Sequence, residues 1–436
     1  MHTELSGSGE NAMRLEEQRV LATYRIETPT EIEYAAEMLA GEQSSGTFVK
    51  VPGETEELTA RHRARIERIT PLEVSDTPSL SGARPRKGSV GPVQYRRAEI
   101  EVSFPLVNMG ANLPTLLATV AGNLYELGEF SGVKLLNLDL PPAFGESHPH
   151  PQFGVEGTRR LTGVTDRPIV GTIIKPSVGL TPEQTADLVK QLADADIDFI
   201  KDDELMADPP HSPLADRVVA VMRVLNDHAD RTGKKVMYAF NITDDLDKMR
   251  RHHDTVLEAG GTCIMVSLNY VGVTGLMALR RHSQLPIHGH RNGWGMLTRH
   301  PYLGIEFPAY QQIWRLAGAD HLHVNGLDNK FWEPNDSVVR SIEACLKPLL
   351  SGQPVVPVIS SGQWGGQAPE TYQRTQTIDV MYLAGGGIMA HPGGPGAGVR
   401  ALRQCWEAAV QGIPLEKYAE THNELRQSIE KFGGGR

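Results

Sequence analysis

Phe199-Ile200-Lys201-Asp202-Asp203-Glu204 closes an apolar run, residues 197–200 broken only by Asp198, in a lysine and three carboxylates. Alternate side chains of a strand share a face, so Lys201 and Asp203 are expected to point the same way. Glu204 lies just past the strand end, where a turn can bring its carboxylate alongside. Three consecutive acids repel one another unless a cation is near. A hard divalent ion such as Mg2+ answers this need, because it takes oxygen ligands and keeps positions open for a substrate. A solvated acidic turn at a strand end is the plain alternative.

The hexapeptide is one of eight such transitions. Beyond residue 157, short apolar stretches alternate with amphipathic helical ones. Strands are expected to begin near Ile169, Ile197, Val236, Cys263, Pro286, His321, Val355 and Val380. Eight parallel strands alternating with helices predict an α/β protein with a C-terminal TIM (β/α)8 barrel, here residues 148–436 including C-terminal helices. The first helix is well marked. Thr181 caps it, Pro182 takes the first helical position and Gln184 completes a capping box. Barrel chemistry lies at the C-terminal ends of the strands. Here those ends read Ile174-Lys175-Pro176, Lys201-Asp202-Asp203-Glu204, Asn241, Asn269, His288-Gly289-His290-Arg291, His321-Leu322-His323, Ser360-Ser361-Gly362 and Gly385-Gly386-Gly387. So many polar ends at once point to a working mouth rather than a bland barrel.

Upstream, residues 13–147 interleave strands at 20–26, 65–71, 95–104 and 133–138 with two helices. Thr30 is expected to cap the first, with Glu33 closing a capping box and Ile32, Ala35, Ala36 and Leu39 as its buried face. The second spans 113–121. Together they predict an N-terminal α+β ferredoxin-like sandwich. Residues 1–12 are polar and expected to be disordered. Residues 139–157, rich in Pro, Gly and His, read as the linker. The formal charge of −10 over 436 residues argues against nucleic acid or an anionic membrane as partner. Cys263, Cys345 and Cys405 are too few and scattered for a disulfide framework or a zinc site, and fit a reducing cytoplasm. Glu4, Glu10 and Glu16 make a secretory signal unexpected, and no apolar run approaches the roughly 20 residues of a membrane helix.

Each polar end has a possible task. Gly385-Gly386-Gly387 could cradle a phosphate with backbone N–H groups, although a tight turn also needs glycine. Ser360-Ser361-Gly362 could add donors. Arg291 and His323, on neighbouring strand ends, could hold a second anionic group, arginine through its two-pronged fork. Lys175 must snorkel out or work inside the mouth, where desolvation beside a cation would bring its pKa toward neutrality. Lys330 ends a loop of glycine and turn formers, residues 325–330, that reads as a lid. Taken alone, Lys330 is more simply a solvated lysine.

Together these motifs resemble the RuBisCO superfamily over nearly the whole chain. Gly171-Thr172-Ile173-Ile174-Lys175-Pro176-Ser177-Val178-Gly179-Leu180 is similar to its first-strand signature, and residues 199–204 to its metal-site signature. The resemblance implies Mg2+ held by Lys201, carbamylated with CO2, and by Asp203 and Glu204. It implies catalytic-site roles for Lys175, Lys201, His290 and Lys330, the last at the spacing of a loop-six lysine. It also implies phosphate or substrate contacts from Arg291, His323, Ser361, Gly362, Gly385, Gly386 and Gly387. In the N-terminal domain Glu42, Thr47 and Asn123 match residues that reach the partner subunit's site, which implies a homodimer with composite sites and no small subunit.

The departures are equally specific. Ser177 stands where a carboxylase has the second lysine of Lys-Pro-Lys. Ile173 replaces a threonine, Phe48 a tryptophan and Trp294 a histidine. Asn329-Lys330-Phe331-Trp332-Glu333 replaces Gly-Lys-Leu-Glu-Gly. The chain therefore resembles a RuBisCO-like protein of the form IV type. The activity implied is Mg-dependent formation of an enediolate from a phosphorylated keto sugar or keto sugar acid. The main expectation is C–C cleavage by a decarboxylase or transcarboxylase/hydrolase of the 3-oxo-isoapionate-phosphate type. An enolase or isomerase of methionine salvage, a true carboxylase and a non-catalytic binding protein stay open as alternatives.

Overall fold

The computed structural model describes residues 17–46, 52–85 and 92–434. The chain divides into two compact units. One takes residues up to His148 together with Gly293–Ile313, the other Pro149–Asn292 with Trp314–Arg436. The expected disorder of residues 1–12 lies outside the described residues. No helix among those described is long and apolar enough to cross a membrane.

The second unit is the barrel. Its strands are β5 (Ile169–Ile173), β6 (Phe199–Lys201), β7 (Met237–Asn241), β8 (Cys263–Ser267), β9 (Ile287–His290), β11 (His321–His323), β12 (Val356–Ile359) and β13 (Met381–Leu383). They close in the order β11-β12-β13-β5-β6-β7-β8-β9, every pair parallel. Each begins within two residues of its expected start. Phe199, Met237, Ala239, Cys263, Met265, Val356, Val358, Met381 and Leu383 fill the interior. Val155 and Leu161 of the helix Gly154–Thr162 pack against that cluster. The helix sits at the strand starts: Val155 N–H donates to Pro354 C=O, and Asp320, just before β11, accepts from Phe153 and Gly154 N–H. The helix Pro182–Asp194 has the capping box of Thr181 and Gln184 that its sequence predicts.

Asp198, the one break in the apolar run that leads into β6, is fully buried. It accepts two bonds from Arg167 at 2.5 and 3.0 Å, one from Lys234 at 2.9 Å and one from Arg403 at 3.0 Å. Burial pushes its pKa up, but these cations outweigh it and hold the carboxyl below the usual range. Removing one partner from such a cluster leaves buried charge uncompensated, at a cost of about 3–5 kcal/mol. Asp198→Ala is expected to lower stability by about that much in thermal or urea unfolding. A midpoint equal to that of the unchanged protein would show that the cluster contributes nothing.

The first unit carries a five-stranded sheet. Its strands are β1 (Arg19–Thr28), β2 (Arg65–Ser75), β3 (Tyr95–Pro105), β4 (Gly132–Asp139) and β10 (Leu303–Ile305), in the order β10-β4-β1-β3-β2. Helices Ile32–Glu42 and Leu113–Val120 complete the α+β sandwich. Ile32, Ala35, Ala36 and Leu39 form the buried face, as their spacing predicts.

Three expectations need correction. Thr30 does not cap the first helix. Its N–H and hydroxyl turn back to Thr28 Oγ1 at 3.1 and 3.0 Å, and Glu31 takes the cap position without a side-chain bond. Residues 133–138 are not the last strand of the sheet, because β10 adds in parallel beside β4. The buried Lys134 of β4 donates to the carbonyls of Thr298 and His300 at 2.6 and 2.8 Å and pairs with Glu306 at 2.9 Å. Residues 139–157 are not a bare linker either. They hold the helix Ala143–Ser147, anchored by the buried Phe144 stacked on His148, and the start of Gly154–Thr162.

Candidate active site

The site is built at the C-terminal ends of the barrel strands. β6 ends at Lys201, whose side chain is fully buried. Its Nζ donates to Asp202 C=O at 2.7 Å and lies 3.7 Å from Glu204 Oε2. Burial lowers the Lys201 pKa, opposed by Glu204, Asp203 and Asp202. Past the strand end the backbone turns, so Asp203 does not simply share the face of Lys201. Its Oδ2 meets Lys175 Nζ at 2.7 Å, and its Oδ1 accepts from Leu205 N–H at 3.2 Å. Glu204 stays 33% exposed, with His290 Nε2 3.5 Å away. Burial raises the pKa of Glu204, but His290 and Lys201 outweigh it and bring it down. Burial and the Lys201 charge bring His290 down to about 4.

The three acids have different work. Asp202 is structural: it accepts from Tyr238 OH at 2.6 Å and Asn241 N–H at 2.9 Å and pairs with the buried Arg217 at 3.2 Å. Asp203 and Glu204 remain facing the mouth. Lys175 lies two residues past β5, 39% exposed, and also donates to Ser177 Oγ at 2.7 Å. The serine that departs from the family pattern thus orients the neighbouring lysine. Gly385 is beside it: a Cβ there would lie 3.8 Å from Lys175 Cε. Gly387 must be glycine, because a Cβ would meet Gln363 C=O at 2.7 Å. Ser361 and Gly362 both have positive φ, +79° and +83°, and for serine that is a strained conformation.

Arg291 and His323 are both engaged within the protein. Arg291 Nη2 donates to Glu333 Oε2 at 2.7 Å, and both side chains are buried. Asn325 Nδ2 donates to the same oxygen at 2.6 Å, and Ser337 Oγ to the other at 2.8 Å. Ser361 Oγ donates to Asn325 Oδ1 at 2.7 Å, and Lys330 N–H to Ser361 C=O at 3.1 Å. The loop after β11 is thus pinned at its base, while Lys330, Phe331 and Trp332 are exposed. Glu333 was missed as a site residue by sequence reasoning. A carboxylate three places after the loop lysine is the signal that could have found it.

Glu42 ends the helix Ile32–Glu42, and Asn123 begins a short 3-10 turn in the same unit. With its amide oriented to satisfy both ends, Gln43 accepts from Asn123 N–H at 3.2 Å. Thr47 lies outside the described residues.

The donor set fits a hard divalent cation. Asp203 and Glu204 offer carboxylate oxygens, and the ammonium of Lys175 already stands as a cation beside Asp203. Lys201 as an amine offers nitrogen, a poor partner for such an ion. Addition of CO2 would turn it into an oxygen donor, and burial shifts Lys201 in the direction of the neutral amine that this needs. A second group, His253, Asp254 and His282, has metal-like spacing. His253 Nε2 accepts from Gln284 N–H at 3.1 Å, so its proton sits on Nδ1, given to Asp254 at 2.9 Å. That nitrogen has no lone pair to offer, and the group is a hydrogen-bonded cluster.

A parallel barrel with a buried strand-end lysine, two mouth carboxylates and a pinned loop after β11 defines a class of barrel enzyme. The catalytic domain of the ribulose bisphosphate carboxylase large chain matches residues 154–432, and the N-terminal domain of that chain matches residues 9–144. The chain belongs to the ribulose bisphosphate carboxylase large-chain family, on its RuBisCO-like side. It is 54% identical to a 3-oxo-isoapionate-4-phosphate transcarboxylase/hydrolase of Xanthobacter autotrophicus, over 94% of this chain and 99% of that one. It is 50% identical to a 3-oxo-isoapionate-4-phosphate decarboxylase of Rhizobium etli, over 96% and 99%. Among solved structures, a rubisco-like protein from Burkholderia fungorum has TM-score 0.89 and 49% identity, covering 95% of this chain and 100% of that one. The octameric carboxylase of Pyrococcus horikoshii has TM-score 0.83 at 28% identity, covering 96% and 94%.

Proposed function

We propose that the chain is a lyase that cleaves the carboxyl group from 3-oxo-isoapionate 4-phosphate through an enediolate. The observation that carries this is identity of 50–54% over 99% of relatives named for that substrate. The site supports it. When a 3-oxo acid loses CO2, the bonding electron pair moves to the ketone oxygen. A proton must then reach the carbon. The Lys175 ammonium, held by Asp203 and Ser177, is placed to face the developing oxyanion and to return that proton. Gly385, Gly386 and Gly387, with Ser361 and Gly362, are the proposed phosphate cradle. Phe331 and Trp332, closing with Lys330, would exclude water. Mg2+ held by Asp203, Glu204 and carbamylated Lys201 would supply positive charge to stabilise the oxyanion. The homodimer with Glu42, Thr47 and Asn123 completing the partner's site, and a cytoplasmic location, belong to the same proposal.

The relative at 54% identity favours a second outcome, transfer of the carboxyl group followed by hydrolysis. One assay separates the cases. The protein with Mg2+ and 3-oxo-isoapionate 4-phosphate is expected to release one CO2 per substrate. Turnover without CO2 release would establish the transfer route. With ribulose bisphosphate no fixation of labelled CO2 is expected, because Ser177 replaces a cation and Phe331-Trp332 fills the loop. Robust fixation would overturn the proposal.

A further inference from the structure

The imidazoles inside the barrel form a single file from its floor to its mouth. Thr158 lies on the floor helix Gly154–Thr162. His321 and His323 are the first and last residues of β11, and His288 lies on the adjacent β9. Thr158 Oγ1 is 2.8 Å from His321 Nε2. His321 Nδ1 is 3.2 Å from His288 Nδ1, and His288 Nε2 is 2.8 Å from His323 Nε2. His323 Nδ1 is 3.1 Å from Ser360 Oγ, and the ring of His290 lies 4.3 Å from that of His323. Thr158, His321 and His288 have no solvent exposure, and Phe199 stacks on His288.

Each member of this file has one proton to place, and the floor decides where it goes. The Thr158 hydroxyl gives its proton to Gly154 C=O at 2.6 Å, so towards His321 its oxygen accepts. His321 then donates from Nε2, and its Nδ1 is a lone pair. His288 must donate to that lone pair from Nδ1, which leaves its Nε2 as an acceptor. His323 therefore donates from Nε2, and its Nδ1 takes the proton of Ser360. Burial keeps all three rings neutral, so no member has a spare proton.

We propose that Thr158 is a positioning residue for the reaction: through His321 and His288 it holds the proton of His323 on Nε2 and presents Nδ1 as an acceptor at the mouth. An accepting imidazole recognises a donor, the Ser360 hydroxyl in the free protein and a substrate hydroxyl once Ser360 turns aside. It does not recognise a deprotonated phosphate oxygen. The phosphate contact that the family resemblance gives His323 would require every proton of the file to reverse, down to the Gly154 carbonyl.

The test uses the full chain with 15N-labelled histidine. Long-range proton–nitrogen spectra read the tautomer of each ring. His321 and His323 are expected to be protonated on Nε2, and His288 on Nδ1. Thr158→Val keeps the shape and removes the acceptor. It is expected to change the His323 tautomer and lower kcat about tenfold, the size one buried unsatisfied donor sets, with KM little changed. Thr158→Ser is expected to restore both. His323 protonated on Nδ1 in the unchanged protein, or a Thr158→Val protein with unaltered spectra and kcat, would overturn the proposal. So would equal losses in the Ser and Val variants, which mark mere packing. Only the kinetic arm rests on the proposed reaction. The spectra stand alone if that substrate is not turned over.

Discussion

Lys175→Ala is expected to lower kcat by about three orders of magnitude while the protein stays folded. The lysine is the cation at the mouth that touches both a ligand-type carboxylate, Asp203, and a hydroxyl, Ser177. A preorganised donor facing a developing oxyanion is worth about 10²–10³ in rate, and a positioned general acid a comparable factor. Both are lost together here, so the effects do not add fully. At 39% exposure the side chain contributes little packing, but its loss takes the ammonium from the buried carboxylate of Asp203, so the melting temperature is expected to fall by several degrees, about 3 kcal/mol. A kcat within tenfold of the unchanged protein would remove Lys175 from the chemistry. The same variant tests the composite dimer. Mixed with Asn123→Ala, it is expected to recover partial activity, because one of the two sites in each heterodimer is intact. Verified heterodimers without activity would argue against shared sites.

The second large effect is at Lys201. Lys201→Met is expected to abolish Mg2+ binding in calorimetry and turnover in the same preparation. Methionine matches the length of the side chain and its burial, so the barrel interior keeps its packing. What disappears is the buried amine beside Asp203 and Glu204, whose pKa burial lowers. Lys201→Arg separates charge from nucleophilicity. The guanidinium keeps a cation near Glu204 but cannot add CO2, so it is expected to be as inactive as the methionine variant. Mg2+-dependent turnover in either variant would sink the assignment of Lys201 as a ligand.

Much of this site was legible because strand ends in a barrel are announced by an abrupt change from apolar to polar residues. Ile200-Lys201 and Leu383-Ala384-Gly385 show that change directly, and the structure puts both at the mouth. What stayed hidden depends on long-range partners. Nothing in the run Phe199 to Glu204 says that Asp202 belongs to Arg217 and Tyr238 while Asp203 belongs to Lys175. Thr30 looked like a cap because its local spacing is right, yet a nearer hydroxyl, Thr28, won it. The place of Glu333 after the loop lysine hints at a role, but not at its partner Arg291, 42 residues earlier. The histidine pairs at 288/290 and 321/323 were conspicuous, but their polarity comes from Thr158, which no motif marks.

The strand β10 has a consequence for how this protein can be made and cut. The ribosome delivers β1 to β4 long before Leu303–Ile305, so the sheet must wait with β4 as an open edge while more than half of the barrel emerges. During that interval Lys134 is without Thr298, His300 and Glu306, the three partners that make its burial tolerable. A fragment ending near His148 would keep this condition permanently, with β4 paired only to β1 and carrying an orphaned ammonium on an aggregation-prone edge. An autonomous N-terminal piece therefore has to carry Gly293–Ile313 with it, spliced on through a short connector.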